Sequence, residues 1–278
     1  MRIRPEHVVL SLAMFAALLS AGCTQGPAGA AAPADAPPAA EAPAAAPAAP
    51  PAAEPASLQP AQPAKAPATS ARLLAVPDVG KSAVKADGVL DEAVWKKAAT
   101  SEAFGHDDGT KGGARTKLLV ARGDGNVYIA VEGFDEAANL KNPTAFVTEH
   151  DGSGIWEDDD VELFIGPAGD RNSYYQIIIN PKGVTWDSYF SSARDGDLQW
   201  SPKYASGVKI GKESWVAEFV LPVAIFDESD KMQSTWDFNV LRMRAATGES
   251  LYWSPVGGGG SSHTPTKFGK LSGMPAKK

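Results

Sequence analysis

Between residues 155 and 180 the sequence reads IWEDDDVELFIGPAGDRNSYYQIIIN, two runs of alternating side chains joined by a turn-forming segment. The odd positions are apolar: Val161, Leu163, Ile165, Tyr175, Ile177 and Ile179. Because successive side chains of a strand point to opposite faces, the pattern predicts a β-hairpin with one face in a core. The opposite face gathers polar groups near Trp156, namely Asp160, Glu162, Gln176 and Asn180. These groups suit a ligand rich in hydroxyls; an ordinary solvated sheet face is the alternative, but Gln and Asn are weak strand formers.

Trp156 is the Trp whose surroundings least resemble a core. It stands between the segments DGSG and EDDD, in a loop rich in Gly and Asp where core contacts are hard to build. An aromatic ring can lie against the apolar face of a sugar while carboxylate and amide groups bond to the sugar hydroxyls. Trp95, by contrast, lies on the apolar side of a predicted helical turn at 91–98, and we expect it in the core.

The first 71 residues indicate export, lipidation and a spacer. Residues 1–22 have the pattern of a signal peptide, with Arg2 and Arg4 before a short apolar run. Cys23 is the only cysteine, and its position resembles the lipidated residue of a bacterial lipoprotein. Residues 23–71 are almost wholly Ala and Pro, which predicts a disordered tether. We therefore expect a lipid-anchored protein of the cell envelope, in the outer membrane of a Gram-negative bacterium; a plain secretory peptide is the alternative.

Residues 72–278 have the composition of a single folded domain. Short alternating runs recur along it, separated by clusters of Gly, Asp, Asn and Pro. This arrangement predicts an all-β fold, an antiparallel β-sandwich of the jelly-roll or immunoglobulin-like kind with one or two short helical turns. The chain has 26 Lys and Arg against 33 Asp and Glu, so a nucleic-acid partner is not expected. It lacks nucleophile-elbow, phosphate-loop and dinucleotide-binding glycine motifs, and no organic cofactor is expected.

The order of the segments resembles the family 9 carbohydrate-binding module and its wider DOMON-like sandwich superfamily. The matching segments are DGVLDEAVWKKA (87–98), NVYIAVEGFDE (126–136), IWEDDDVELFIGP (155–167), YYQIIINPKG (174–183), SWVAEFVLPVAIF (214–226), WDFNVLRMR (236–244), YWSPV (252–256) and HTPTKFGKL (263–271). The resemblance implies a non-catalytic module that binds the end of a glycan. Carbohydrate is therefore the expected partner, and the membrane is expected to be contacted through the lipid anchor only.

The resemblance also implies roles for individual residues. The predicted ligand-binding residues are Trp156, Glu162, Gln176, Asn180, Asn239, Arg242 and Trp253. In this interpretation Trp156 and Trp253 sandwich a sugar ring, and Glu162 accepts hydrogen bonds from its hydroxyls. The remaining side chains would supply further polar contacts, although the face on which Asn239 and Arg242 lie is open.

Acidic residues around the hairpin are candidate ligands for calcium, which binds several oxygens and which the resemblance also implies. The predicted ligands are Asp135, Asp151, Asp158 and Asp159. Their spacing does not match the twelve-residue EF-hand loop. The alternative is that this run of charges forms a solvated turn.

Other functions stay open beside carbohydrate binding. Some DOMON-like relatives bind haem, for which Met243 and His263 are the one pair of axial ligands worth testing. A glycosidase needs two carboxylates across the scissile bond, and Glu162 with Glu218 can be imagined in that role, although no spacing singles them out. A lipoprotein associated with a glycoside hydrolase, or one with a purely structural role, would keep the sandwich alone.

Overall fold

The computed structural model describes residues 72–193, 195–226, 231–259 and 261–277, where nearly all regular structure is β. The strands are β1 (Leu73–Ala75), β2 (Ala99–Ser101), β3 (Thr116–Gly123), β4 (Asn126–Phe134), β5 (Asp160–Gly166), β6 (Tyr174–Ile179), β7 (Thr185–Ser192), β8 (Asp195–Asp197), β9 (Ala205–Ile210), β10 (Ser214–Pro222), β11 (Thr235–Arg244), β12 (Glu249–Tyr252) and β13 (Gly269–Ser272). The helical elements are α1 (Ala137–Lys141) and 3-10 turns at Ile155–Glu157, Val223–Phe226 and Pro265–Lys267. The predicted signal peptide, Cys23 and the predicted tether lie outside the described residues.

Two sheets pack together. The large sheet has the strand order β1-β13-β11-β5-β6-β7-β8, with β12 also paired to β11. The small sheet has the order β2-β3-β4-β10-β9. The pair β1 and β13 is parallel, and the other strand pairs of the described residues are antiparallel. This arrangement confirms the predicted β-sandwich.

The odd-numbered face of the β5–β6 hairpin lies in the core, as the alternation predicts. Leu163 pairs with Ile177 on one side and with Val240 of β11 on the other. These side chains pack in one cluster with Val120 and Phe219 of the small sheet. Each fully buried aliphatic side chain of this kind stabilises the fold by about 2 kcal/mol. The core therefore fixes which face of β5 and β6 points away from the small sheet.

The predicted helical turn at 91–98 is a series of tight turns and not a regular helix. Its N–H groups bond three residues back, from Trp95 to the Glu92 carbonyl at 3.2 Å and from Lys97 to the Val94 carbonyl at 3.0 Å. Trp95 is buried as expected, in a smaller apolar cluster beside the small sheet. Within the described residues, the short α1 is the longest helix, and none has the length and hydropathy needed to cross a bilayer.

Candidate functional site

A cleft of about 430 Å³ opens on the face of the large sheet that points away from the core. Three neighbouring strands supply its floor. Glu162 of β5 pairs with Ile178 of β6, and Ile178 pairs with Trp186 of β7, so the three side chains share one face. The cleft is lined by Trp156, Glu162, Gln176, Ile178, Trp186, Phe190, Ala193, Ser262 and His263.

Two Trp rings border the cleft. Trp156 is 46% exposed and lies on the 3-10 turn before β5, which is anchored by the buried side chain of Ile155. The turn begins after Gly154, whose φ of 89° is a left-handed conformation that glycine adopts without strain. Trp186 meets Trp156 edge to face, with ring centroids 6.4 Å apart and planes at 85°. The pair therefore offers two perpendicular apolar surfaces.

Glu162 and Gln176 form the polar floor of the cleft. Gln176 Nε2 donates a hydrogen bond to Glu162 Oε2 over 2.6 Å, and both side chains are almost fully buried. Gln176 Oε1 is buried and has no hydrogen-bond partner among the described residues, so it is an unpaired acceptor at the floor of the cleft. Burial raises the pKa of Glu162 to about 7, although the bond from Gln176 opposes the shift. Near neutral pH this group can therefore exchange between acid and carboxylate.

Asp160 lies two residues before Glu162 on the same face of β5 and is fully buried. Burial, followed by the nearby charge of Glu162, raises the pKa of Asp160 well above its usual range. Asp160 does not line the cleft. Its influence on a ligand is therefore through charge and not through contact.

The far end of the cleft is aromatic. Tyr174 stacks on Phe190 with ring centroids 4.9 Å apart and planes at 8°, and the Tyr174 hydroxyl lies 2.6 Å from His263 Nδ1. Burial lowers the pKa of His263, which favours the uncharged imidazole. This end of the cleft therefore presents apolar, uncharged surface beside the polar floor.

Trp253 is not in the cleft, and the prediction that it forms the second sandwich ring is wrong. It directly follows β12, and its N–H bonds to the carbonyl of Val240 at 2.8 Å, which places the ring on the core face of the sheet. The residue is 1% exposed, packs on Phe238 at 5.6 Å between centroids, and donates from Nε1 to Ser101 Oγ at 3.0 Å. The second Trp of the cleft is Trp186.

The amides of Asn180 and Asn239 are also committed to the fold, so their predicted contact with a ligand is wrong. Asn180 Nδ2 donates to the Val147 carbonyl and to Asp158, and its Oδ1 accepts two main-chain N–H groups. Asn239 Nδ2 donates to the Ser254 carbonyl at 2.9 Å, and its Oδ1 accepts the Ser254 N–H at 2.8 Å. Both side chains are fully buried and neither lines the cleft.

Arg242 lies between the two sheets, on the face opposite Glu162, so its assignment to the ligand site is wrong. It pairs with Val161 of the core face and donates to Asp135 at 2.8 Å and to the Phe134 carbonyl at 3.0 Å. Burial lowers the pKa of Arg242 to about 10, so it stays charged at neutral pH. Burial alone would raise the pKa of Asp135, but hydrogen bonds from Arg244 and other donors hold it at about 2. Arg242 and Asp135 are thus a buried structural ion pair.

The four predicted calcium ligands are not gathered in one cluster, and three of them, Asp135, Asp158 and Asp159, accept hydrogen bonds from protein donors. Asp158 accepts from the main-chain N–H groups of Phe146 and Val147 and from Asn180, which organises the loop before Trp156. The two oxygens of Asp159 accept the N–H groups of residues 144 and 245, and Asp135 is paired with arginines. Among the described residues, Asp151 alone of the four joins a cluster of possible metal ligands.

The residues predicted for the haem and glycosidase alternatives are not brought together either. His263 contacts Phe164 of β5, whereas Met243 pairs with Asp160 of the same strand. Asp160 and Phe164 are four residues apart, which is about 13 Å along a strand. Glu218 belongs to the small sheet, where it accepts from the Gly88 N–H and from Trp95 Nε1. It therefore cannot flank a bond held beside Glu162.

Trp186, Phe190 and His263 are cleft residues that the sequence interpretation did not assign to a sugar site. A signal for Trp186 was present in the chain. The Pro-Lys-Gly turn after β6 sets a register in which even-numbered residues of β6 lie opposite even-numbered residues of β7. Ile178, for example, lies opposite Trp186. In this register Trp186 lies on the same face of the sheet as Glu162, so recognising the turn would have placed Trp186 in the site. No comparable local signal places His263, which lies on a loop after β12.

The fold is a two-sheet β-sandwich with a cleft on the outer face of the large sheet. The chain belongs to the family described as carbohydrate family 9 binding domain-like, which it matches over residues 86–272. This match confirms the resemblance drawn from the sequence. No curated protein matches the chain.

Solved structures share the fold. A Bacteroides uniformis protein to which a carbohydrate-binding role has been assigned is similar with a TM-score of 0.59 and 21% identity, over 73% of this chain and 99% of that one. A family 9 module from Caldicellulosiruptor kristjanssonii, solved with cellotriose, has a TM-score of 0.50 and 15% identity, over 73% and 95%. Its complex with glucose gives the same score and identity over 71% and 94%.

Proposed function

We propose that this chain binds carbohydrate in the cleft between Trp156 and Trp186. The observation that carries the proposal is the buried pair of Glu162 and Gln176 beneath the two rings. Gln176 Oε1 has no partner among the described residues, and an unpaired buried acceptor costs about 1–3 kcal/mol. A ligand hydroxyl that donates to this oxygen would recover that free energy.

The ring geometry supports a particular mode of binding. Two parallel rings would sandwich a sugar, but the planes of Trp156 and Trp186 are perpendicular. One ring can then lie against the apolar C–H face of a pyranose while the other contacts its edge. Adjacent hydroxyls would donate to Gln176 Oε1 and to the Glu162 carboxylate. This arrangement suits the end of a glycan better than the middle of a chain.

A non-catalytic role agrees with the carboxylates around the cleft. Glycosidases place two carboxyl groups on either side of the bond that is cleaved. Within the described part of the chain, Glu162 is the one carboxylate lining the cleft, and Asp160, on the same face of β5, is buried and does not line it. We therefore assign the cleft to capture of a glycan, with any cleavage left to another protein.

The position of the domain in the cell is part of the proposal and rests on the sequence. Lipid on Cys23 and the Ala/Pro-rich residues 23–71 would hold the domain away from a membrane surface. In the outer membrane of a Gram-negative bacterium, such a protein would capture glycans in support of polysaccharide breakdown.

The test is binding of glycans by the purified full chain. Cellotriose and glucose are the first probes, because similar modules were solved with them, and a glycan array extends the search. Trp156→Ala and Trp186→Ala should each weaken the binding of a glycan that the parent retains by about tenfold or more, which is ~1.4 kcal/mol. The matched control is Phe146→Ala, an aromatic side chain that is 79% exposed and does not line the cleft.

Each outcome of this test decides the proposal. Unchanged binding by the Phe146→Ala variant, together with losses in both Trp variants, would support it. If the parent retains no glycan on the array, the carbohydrate function is refuted for this chain. If both Trp variants bind as tightly as the control, the cleft is not the binding site.

A further inference from the structure

Three side chains with metal-binding groups meet beside the start of β7, outside the cleft. His150 and Asp151 lie in the loop before the Trp156 turn, and Asp187 lies in β7. His150 Nε2 is 3.3 Å from Asp151 Oδ2 and 3.8 Å from Asp187 Oδ2. One potential ligand atom from each residue lies within 4.8 Å of the other two. Of these three residues, the sequence predicted a metal-binding role for Asp151 alone.

The imidazole of His150 is oriented by the main chain. Its Nδ1 lies 2.8 Å from the Thr185 carbonyl oxygen, which accepts hydrogen bonds only, so Nδ1 must carry the proton that is donated. In the neutral ring the lone pair is then on Nε2, the atom that faces the two carboxylates. Metal-binding histidines are commonly oriented by this kind of bond from the other ring nitrogen.

The two carboxylates are also held in place. The Asp151 N–H bonds to the same Thr185 carbonyl at 3.0 Å, and Asp151 Oδ1 accepts the Asp187 N–H at 3.3 Å. Asp187 Oδ2 accepts the Tyr204 hydroxyl at 3.0 Å. These bonds leave Asp151 Oδ2 facing Nε2.

Asp187 supplies the independent sign of a missing ligand. The residue is 1% exposed, and its Oδ1 has no hydrogen-bond partner among the described residues. A buried carboxylate oxygen without a donor is costly, and a bound cation is one way to compensate it. His150 and Asp151 are partly exposed, so the cluster is open to solvent on their side.

We propose that His150, Asp151 and Asp187 bind a divalent transition-metal ion of the zinc class. Around a tetrahedral zinc ion, ligand atoms lie about 3.3 Å apart, close to the separations of 3.3 and 3.8 Å from His150 Nε2. Calcium prefers six to eight oxygens, whereas imidazole suits zinc and its neighbours in the first transition series. Ser201 Oγ, 3.2 Å from Nε2, or a water molecule can complete the coordination. The ion would join the loop before Trp156 to β7.

The experiment is a titration of the full chain, without a histidine tag and with the Cys23 thiol alkylated, using Zn²⁺ and calorimetry. We expect one saturable site in the parent and a loss of affinity of about tenfold or more in His150→Gln and in Asp187→Asn. His150 is exposed, so its variant should remain folded even if the buried Asp187→Asn change unfolds the domain. The matched control is His106→Gln, since His106 also faces a carboxylate, that of Glu249, and belongs to no such cluster.

Co²⁺ supplies a second readout that does not depend on any glycan. Its visible absorption should report nitrogen and oxygen ligands in the parent and in the control, and should be lost in His150→Gln. Excess Ca²⁺ should not displace it. Absence of saturable Zn²⁺ binding, equal affinity in His150→Gln and the parent, or displacement of Co²⁺ by Ca²⁺ would each overturn the proposal. The first two results would leave hydrogen bonds within the protein as the explanation of the cluster.

Discussion

Replacing Glu162 by Gln should make the domain more stable at high pH. At high pH the buried Glu162 carboxyl group is ionised in the folded protein, which lowers the free energy of unfolding. Burial raises the pKa of Glu162 from its ordinary 4.5 to about 7 in the folded protein. A raised folded-state pKa means that the folded state binds the proton more tightly than the unfolded state. The contribution to stability is therefore fully present below pH 4.5 and is lost as the pH rises through about 7.

The size of the effect follows from the shift. At ~1.4 kcal/mol per pKa unit, the shift is worth about 3 kcal/mol in total. Roughly 2.5 kcal/mol of that falls between pH 5 and pH 8, because the group is already mostly ionised in the unfolded state at pH 5 and titrates in the folded state over this range. Glu162→Gln keeps the shape and can still pair with Gln176, but it has no charge to bury. The difference in unfolding free energy between variant and parent should therefore grow by about 2–3 kcal/mol over this range.

The assay is urea unfolding of parent and variant at pH 5 and pH 8. Asp187, whose pKa is also raised, remains in both proteins, so its contribution largely cancels. The charge of Glu162 raises the pKa of Asp160, so removing that charge should lower the pKa of Asp160 and act in the same direction. Glu213→Gln is the matched control, since Glu213 is exposed, and it should leave the pH dependence unchanged. Parallel pH profiles for the parent and Glu162→Gln would refute the reasoning.

Three further predictions concern the core, the buried ion pair and the lipid anchor. Trp253→Ala should lower the free energy of unfolding by about 3–5 kcal/mol, because the ring is in the core. Trp186 is partly exposed, so Trp186→Ala should lower it much less. Thermal unfolding of the two variants measures the difference. Asp135→Asn should cost about 3–5 kcal/mol by leaving Arg242 buried without its carboxylate, and retention of the parent's urea midpoint would contradict the buried ion pair. Cys23→Ala should abolish palmitate labelling and release the protein from membranes, and equal membrane retention would rule out the lipid anchor.

Alternation alone predicted the part of the site that depends on one hairpin. The turn between β5 and β6 sets their register, so the odd residues lie in the core and Glu162 and Gln176 face outward together. The sandwich architecture followed from the same short runs. These features are local in sequence, and no distant contact is needed to decide them.

The residues that were placed wrongly depend on contacts between distant strands. Arg242 points between the sheets because β11 pairs with β5 in a register that matches it to Val161, and no local pattern sets that register. Trp253 turns inward because β12 pairs with β11. The acids Asp158 and Asp159 are used to fix loops through main-chain N–H groups, which composition cannot distinguish from metal ligation.

The free energy needed to ionise the buried Glu162 is itself an argument about function. The outer face of β5 could carry neutral or solvated side chains, yet it places Asp160 and Glu162 together, and the charge of Glu162 adds to the burial that raises the pKa of Asp160. A face selected for stability alone would avoid this pair, since buried like charges destabilise a fold. The same carboxylate is useful if a ligand donates hydrogen bonds to it. Stability should then fall with pH between 5 and 8 while affinity for a glycan rises by about tenfold from pH 6 to pH 8, because only the ionised fraction binds. A fall in stability together with a rise in glycan affinity as the pH increases would distinguish a ligand-binding carboxylate from one that is merely buried.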